Sequence, residues 1–179
     1  MLMSFYLIGL SGKMKAGKDT VADLIIKSHP DVNVKRMAFA DALKQEIAAK
    51  FAVTVPQINA DKKRWRLLMQ WWGTEYRRTD DPDYWVMQLL KSMKALSPDV
   101  KMVVVTDVRF KNEADVITQL GGELWRINRT VGSAADAHAS ECELDGYDNF
   151  TLELTNNGSI DELKEKVNRH IRARFLSLR

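Results

Sequence analysis

The chain has 179 residues and 45% hydrophobic content, enough for the buried core of one domain. Its 27 basic against 24 acidic residues leave a net charge of only +3, which argues against a protein that holds nucleic acid by bulk charge. The lone cysteine, Cys142, excludes an internal disulfide and a cysteine-based zinc site and fits a reducing, cytoplasmic setting, while His29, His138 and His170 lack ligand spacing. No apolar run approaches the ~20 residues of a membrane span. The apolar first ten residues lack a basic leader and read as a core strand, not a signal peptide.

In chain order, Phe5–Leu10 predicts the first strand. Next comes Gly12-Lys13-Met14-Lys15-Ala16-Gly17-Lys18-Asp19-Thr20, and then a helix over Gly17–Ser28 with Val21, Leu24 and Ile25 at helical spacing. His29-Pro30-Asp31 stops that helix. A strand, a glycine-bracketed loop and a helix make the layout of a phosphate-binding P-loop. Gly12 and Gly17 let the backbone curl so that its N–H groups face an anion, and the helix adds the positive end of its dipole. Lys18 then places a cation at the outer phosphates. Asp19 stands where the general motif has Ser or Thr for Mg2+, and Thr20 follows one position later. A carboxylate can hold a hard cation directly or through water.

A strand is predicted over Val34–Phe39, a helix over Asp41–Phe51, and a connection over Val53–Ala60. The helix expected over Asp61–Tyr76 carries two stripes. Trp65, Leu68, Met69 and Trp72 follow core spacing. Arg66, Gln70, Gly73 and Arg77 share another face, suited to a phosphate, a base edge and a close approach. Asp81-Pro82 opens a further helix to Leu96, with Trp85 near its start as either a stacking platform or a core residue. Val100–Thr106 reads as a central parallel strand, so Asp107 and Arg109 fall at a carboxyl edge where open sheets gather ligands. Asp107 also resembles the carboxylate that holds Mg2+ through water in P-loop enzymes. A helix over Phe110–Leu120 and a strand over Glu123–Ile127 come next, with Arg126 and Arg129 at the strand's end. Thr130–Asn149 is long for a plain connection and favours a lid; it includes His138-Ala139-Ser140-Glu141. Phe150–Leu154 is the last strand, and Ser159-Ile160-Asp161-Glu162 is a capping box that opens the final helix to Phe175.

Six blocks then occur in order: Gly12 to Thr20 with its Gly-Lys-Asp-Thr ending, Phe39-Ala40-Asp41-Ala42-Leu43-Lys44, Arg66 to Glu75, Asp83-Tyr84-Trp85, Thr106-Asp107-Val108-Arg109-Phe110, and His138-Ala139-Ser140-Glu141. Together, over about Ser4 to Leu154, they resemble the phage-type deoxynucleoside monophosphate kinases of the P-loop nucleoside-monophosphate-kinase superfamily. The resemblance implies an α/β three-layer fold, a five-stranded parallel sheet with helices on both faces. It implies one kinase domain over 1–179, with a monophosphate-binding segment at about 41–96 and a lid at about 130–149. It implies transfer of the ATP γ-phosphoryl group to a dNMP, with Mg2+, for DNA precursor supply in the cytoplasm (the host's, if phage-encoded).

On that reading Gly12, Lys13, Ala16, Gly17, Lys18, Asp19 and Thr20 bind ATP. Lys18, Arg109 and Arg129 are catalytic, and Asp19 and Asp107 organise the metal. Arg66, Gln70, Arg77 and Trp85 hold the acceptor. No membrane or stable nucleic-acid partner is expected, and a homodimer is left open. The nearest rival is another P-loop small-molecule kinase, resembling phosphomevalonate or dephospho-coenzyme A kinase. A nucleotide-dependent nucleic-acid binder would use the basic tail from Arg169 to Arg179, but the mild net charge opposes it. An inactive nucleotide-binding module is opposed by Lys18 and the set of arginines.

Overall fold

A computed structural model describes residues 5–130 and 143–177. It divides into two compact units, one of Met1–Arg36 with Ser97–Arg179 and one of Met37–Leu96.

The first unit is built on β1 (Tyr6–Ser11), β2 (Val34–Met37), β3 (Met102–Val105), β4 (Glu123–Asn128) and β5 (Leu152–Thr155). They form a five-stranded parallel sheet in the order β2-β3-β1-β4-β5. Ile8 pairs with Val104 on one side of β1, and Ser11 pairs with Arg126 on the other. The chain leaves central β1 toward β2 on one side and later reaches β4 and β5 on the other. The loop after β1 therefore opens at the carboxyl edge where the strand order reverses, the usual ligand position in such sheets.

Alternation along β1 divides the core between two faces. Ile8 and Leu10 join Trp125, Ile127, Val21 and Ile25 from α1 (Lys18–Ser28), together with Leu163, Val167 and Ile171, one stripe of the last helix. On the other face a Cβ at Gly9 would meet Val108 and Ile117, the latter from the helix over Lys111–Gln119. Fully burying aliphatic side chains such as these contributes about 1.5–3 kcal/mol each. The last helix, Ile160–Ser177, opens on the expected box: Glu162 N–H donates to the Ser159 hydroxyl (3.2 Å), and Ser159 N–H to the Glu162 carboxylate (3.3 Å). Far along it, His170 Nε2 meets buried Glu123 at 2.7 Å, and the Trp125 indole donates to the same carboxylate at 2.9 Å.

The second unit is helical: α2 (Phe39–Lys50), α3 (Val55–Ala60), α4 (Lys62–Gln70), a π-helical turn (Trp71–Tyr76), α5 (Arg77–Asp80) and α6 (Tyr84–Lys94). Several expected boundaries move here. The strand expected to Phe39 ends at Met37, because Asp41 accepts the Ala38 N–H at 2.9 Å and starts α2 early. The supposed connection over Val53–Ala60 contains α3. Thr54 and Gln57 cap each other there, Thr54 N–H to the Gln57 side chain at 2.7 Å and Gln57 N–H to the Thr54 hydroxyl at 3.3 Å, and Pro56 is tolerated in the first turn. The single helix over Asp61–Tyr76 is α4 followed by the π turn, and α6 starts at Tyr84 rather than Pro82 because Asp83 N–H turns back to Asp81 Oδ1 at 3.0 Å. Of the expected core stripe, Trp72 is buried, whereas Trp65, Leu68 and Met69 are half-buried. Among the described residues no helix is long and apolar enough to cross a membrane.

Candidate active site

The loop between β1 and α1 has the shape its glycines require. Gly12 has φ +143°, and a Cβ there would lie 2.4 Å from the Ile127 carbonyl oxygen on β4. Gly17 has φ +106°, in the left-handed region that costs most residues 1–2 kcal/mol. Between them, Ala16 N–H closes a turn on the Lys13 carbonyl (3.1 Å), and Ala16 is 1% exposed, which anchors the loop in the core. Lys13, Met14 and Lys15 form the exposed crown. Lys18, the first residue of α1, turns its ammonium back to the Gly12 carbonyl (2.5 Å) and the Lys13 carbonyl (3.0 Å). Its charge thus sits at the loop's own rim. Thr20 is half-buried two residues on, while Asp19 is exposed and forms an ion pair with Arg36, which also reaches Asp23 at 3.2 Å.

Beside this loop a shallow, open depression is lined by Ser11, Gly12, Lys13, Val108, Arg109, Arg126 and Leu144. Val108 N–H donates to the Leu10 carbonyl (3.1 Å), which holds the segment after β3 against β1. Glu113, 2% exposed, accepts the N–H groups of Arg109 (2.7 Å) and Phe110 (3.1 Å), so the backbone carrying Arg109 is pinned from within. Asp107 is half-buried at the start of the same segment.

The second arginine of the depression is Arg126, not Arg129. Arg129 is exposed beyond the end of β4 and does not line it. Arg126 is the residue paired with Ser11, so strand register alone carries it to the mouth of the loop. It donates to the Leu144 carbonyl (2.7 Å) and Asp145 (2.6 Å), and Lys13 lies 3.4 Å from the same Asp145 carboxylate. Burial pushes the Asp145 pKa up, but the Arg126 and Lys13 cations outweigh it and hold the carboxyl below its usual value. The sequence puts Arg126 and Arg129 at one strand end; the pairing with Ser11 is the signal that separates them. Of the expected lid, residues 131–142, with His138 and Glu141, lie outside the described residues.

Arg66, Gln70, Arg77 and Trp85 belong to the second unit. Arg66 and Gln70 are half-buried on α4. The expected face does not continue through Gly73 and Arg77, because the π turn changes the residues per turn and rotates the side chains beyond it. Gly73 is buried, and a Cβ there would lie 3.1 Å from Leu43, so its smallness serves helix packing. Trp85 is 3% exposed and its indole donates to the Gly73 carbonyl at 2.8 Å; this ring is a core residue, which corrects its expected contact with the acceptor.

Arg77 is held by Glu46 through Nε (3.0 Å) and Nη2 (2.6 Å), with its guanidinium 4.7 Å from the Tyr84 ring centre and 5.3 Å from that of Tyr76. The Glu46 carboxylate also accepts from the Trp72 indole (2.8 Å) and the Tyr84 hydroxyl (2.5 Å). Burial pushes the Glu46 pKa up, but these hydrogen bonds outweigh it and hold the carboxyl below its usual value. The hydrogen bond to Glu46 likewise raises the pKa of both Arg77 and Tyr84. Glu46→Gln is expected to lower the unfolding free energy by about 2 kcal/mol, since three donors lose an anionic acceptor. Because the folded carboxyl titrates below its unfolded value of about 4.3, its contribution is complete above that value and is lost as pH falls through the folded pKa. Urea melts at stepped pH should therefore show wild type and Glu46→Gln converging only on the acid side; a difference unchanged by acid would remove the charge from the explanation.

Comparison with known proteins identifies the family and the fold. The phosphomevalonate kinase family model matches residues 10–122. A protein of Acanthamoeba polyphaga mimivirus described as a deoxynucleotide monophosphate kinase is 32% identical over 184 residues, covering 90% of this chain and 93% of its own length. The deoxynucleotide monophosphate kinase of Escherichia phage RB69 is 31% identical over 109 residues, 60% of this chain and 44% of its own. Among solved structures, a Mycobacterium tuberculosis APS kinase superposes with a TM-score of 0.54 at 13% identity, covering 95% of this chain and 99% of that one, a likeness of fold. The chain belongs to the deoxynucleotide monophosphate kinases of the P-loop kinase fold, and its residues 10–122 carry the phosphomevalonate kinase family pattern.

Proposed function

We propose that the chain transfers the γ-phosphoryl group of ATP to a deoxynucleoside monophosphate, giving ADP and dNDP. The observation that carries this is the convergence of a glycine-shaped anion loop, Lys18, Arg109 and Arg126 on one carboxyl edge of the sheet. The acceptor is already an anionic phosphate oxygen. It attacks the γ-phosphorus, the bond to the β,γ-bridging oxygen breaks, and ADP leaves with that charge. No general base is needed, so alignment and charge neutralisation supply the rate.

In this reading the backbone from Gly12 to Lys18 cradles the β-phosphate and Lys18 leaves the loop carbonyls to follow the moving phosphoryl group. Thr20 meets the α-phosphate. Arg109 and Arg126 neutralise charge between donor and acceptor. Arg66 and Gln70 meet the acceptor from one face of α4, and Arg77, turned off that face by the π turn and oriented by Glu46, meets it from a separate position. The carboxylates at this edge suit Mg2+, which takes one or two carboxylates and completes its shell from phosphates and water. Asp107 would hold the ion, with Asp19 joining it on leaving Arg36, and the ion would supply neutralisation of the phosphate oxygens.

The test is coupled ADP release with ATP and Mg2+ across all dNMPs and NMPs, phosphomevalonate and dephospho-coenzyme A. The family pattern over residues 10–122 makes phosphomevalonate the second reading. Turnover that requires a dNMP is expected; turnover confined to phosphomevalonate or dephospho-coenzyme A would replace the dNMP assignment.

A further inference from the structure

The turn after β5, Asn156-Asn157-Gly158, lies beyond every residue given a role in the site, yet it reaches back across the chain to the anion loop. Asn156 donates from Nδ2 to the Ala16 carbonyl at 2.8 Å, a contact between residues 140 positions apart. Its own N–H donates to the Asn128 carbonyl at 2.7 Å, so the asparagine is fixed to the end of β4 before its side chain reaches the loop. The approach is close: a Cβ at Gly17 would lie 2.3 Å from Asn156 Nδ2. The neighbouring Asn157 is fixed as well, accepting the Thr130 N–H (2.7 Å) and donating to the Thr130 hydroxyl (2.9 Å).

The bonded carbonyl belongs to the Ala16–Gly17 peptide. In a trans peptide the C=O and the following N–H point in opposite directions. An amide outside the loop that holds the Ala16 oxygen therefore turns the Gly17 N–H away from itself. Among the described residues no acceptor takes that N–H. A polar group fixed in direction and left without a protein partner is what an anion nest needs. With φ at +106°, Gly17 has wide backbone freedom, and without an outside constraint this peptide could rotate.

We propose that Asn156 is a positioning residue for phosphate binding: it locks the Ala16–Gly17 peptide so that the Gly17 N–H is presented to the donor phosphates. The proposal rests on the reading of this loop as the ATP phosphate site. It is a pin on the loop, distinct from a contact with the nucleoside, and the two make different predictions.

The test is calorimetric binding of two probes, ATP and inorganic tripolyphosphate, to wild type, Asn156→Ala, Asn156→Ser and Lys166→Ala. Lys166 donates to the Thr155 carbonyl at 3.1 Å, so its removal loosens the same strand end without touching the loop. A misaimed hydrogen bond to a charged group corresponds to roughly a tenfold or greater loss of affinity. Asn156→Ala is expected to weaken both probes by a similar factor of about ten, Lys166→Ala to leave both unchanged, and Asn156→Ser to give the same loss as alanine, since its hydroxyl is too short to span the contact. If Asn156→Ala weakened ATP but not tripolyphosphate, the residue would act on the nucleoside and the pin would be overturned. Unchanged affinity for both would overturn it too, as would equal losses in Lys166→Ala. Failure of the wild type to bind either anion would instead remove the phosphate-site reading, and the pin with it. Should Asn156→Ala not fold, Asn156→Ser carries the same comparison.

Discussion

Lys18→Ala is expected to lower kcat by about 10²- to 10³-fold, the scale on which one preorganised donor acts on developing charge, while the protein stays folded. In the absence of ligand the Lys18 ammonium is bonded to the carbonyls of Gly12 and Lys13. Those two acceptors lie at the rim of the loop and can turn to water once the side chain is removed, so the loss in unfolding free energy should stay within about 2 kcal/mol. The catalytic cost is different in kind. A phosphoryl group in flight spreads charge over three oxygens, and no water dipole replaces a cation carried on a flexible stem that can follow it. Lys18→Arg keeps the charge but not the compact, rotatable ammonium, so it should recover only a small part of the rate. Coupled ADP release, read beside a thermal melt, checks both halves. Turnover of Lys18→Ala within tenfold of wild type would sink the role given to Lys18.

The features legible in the sequence are those set by local chemistry. Gly12 and Gly17 announce a loop because only glycine tolerates the backbone angles found there. The run of valines before Asp107 announces a buried parallel strand, and Ser159 with Glu162 announces a helix start that the hydrogen bonds repeat. Thr54 with Gln57 carries the same kind of signal, masked by Pro56, which reads as a breaker until it is placed in the first turn. What the sequence does not display is register. The stripe of Arg66, Gln70, Gly73 and Arg77 presumes 3.6 residues per turn, and the π turn at Trp71–Tyr76 undoes that halfway along. Nothing in a one-dimensional pattern says that Gly73 packs against Leu43, that Trp85 closes on the Gly73 carbonyl, or that Glu46 holds Arg77. The same limit separates Arg126 from Arg129: three residues apart in sequence, they differ by whether strand pairing sets them beside Ser11.

Arg126→Ala is accordingly expected to reduce kcat by about 10²- to 10³-fold, somewhat below the range of a dedicated transition-state arginine, and Arg129→Ala by less than a tenth of that factor. The difference follows from preorganisation. The Arg126 side chain is 16% exposed, stacked 5.2 Å from the Phe150 ring centre, and aimed along the wall that also carries Gly12 and Arg109. An exposed Arg129 would have to lose rotamer freedom on each turnover to reach the same place. Arg126 also ties down Leu144 and Asp145, so its loss has a structural component that must be separated from the catalytic one. Asp145→Asn makes that separation: it weakens the link to Arg126 and Lys13 while leaving both cations in place. If Arg126 acts on phosphate, Asp145→Asn keeps most of kcat, because releasing the arginine from its carboxylate leaves the guanidinium available to the substrate. If Arg126 serves only to hold the turn at Leu144 and Asp145, the two variants should lose activity together, and Arg126→Lys, which keeps a charge but not the fork that bonds both groups, should lose as much as alanine.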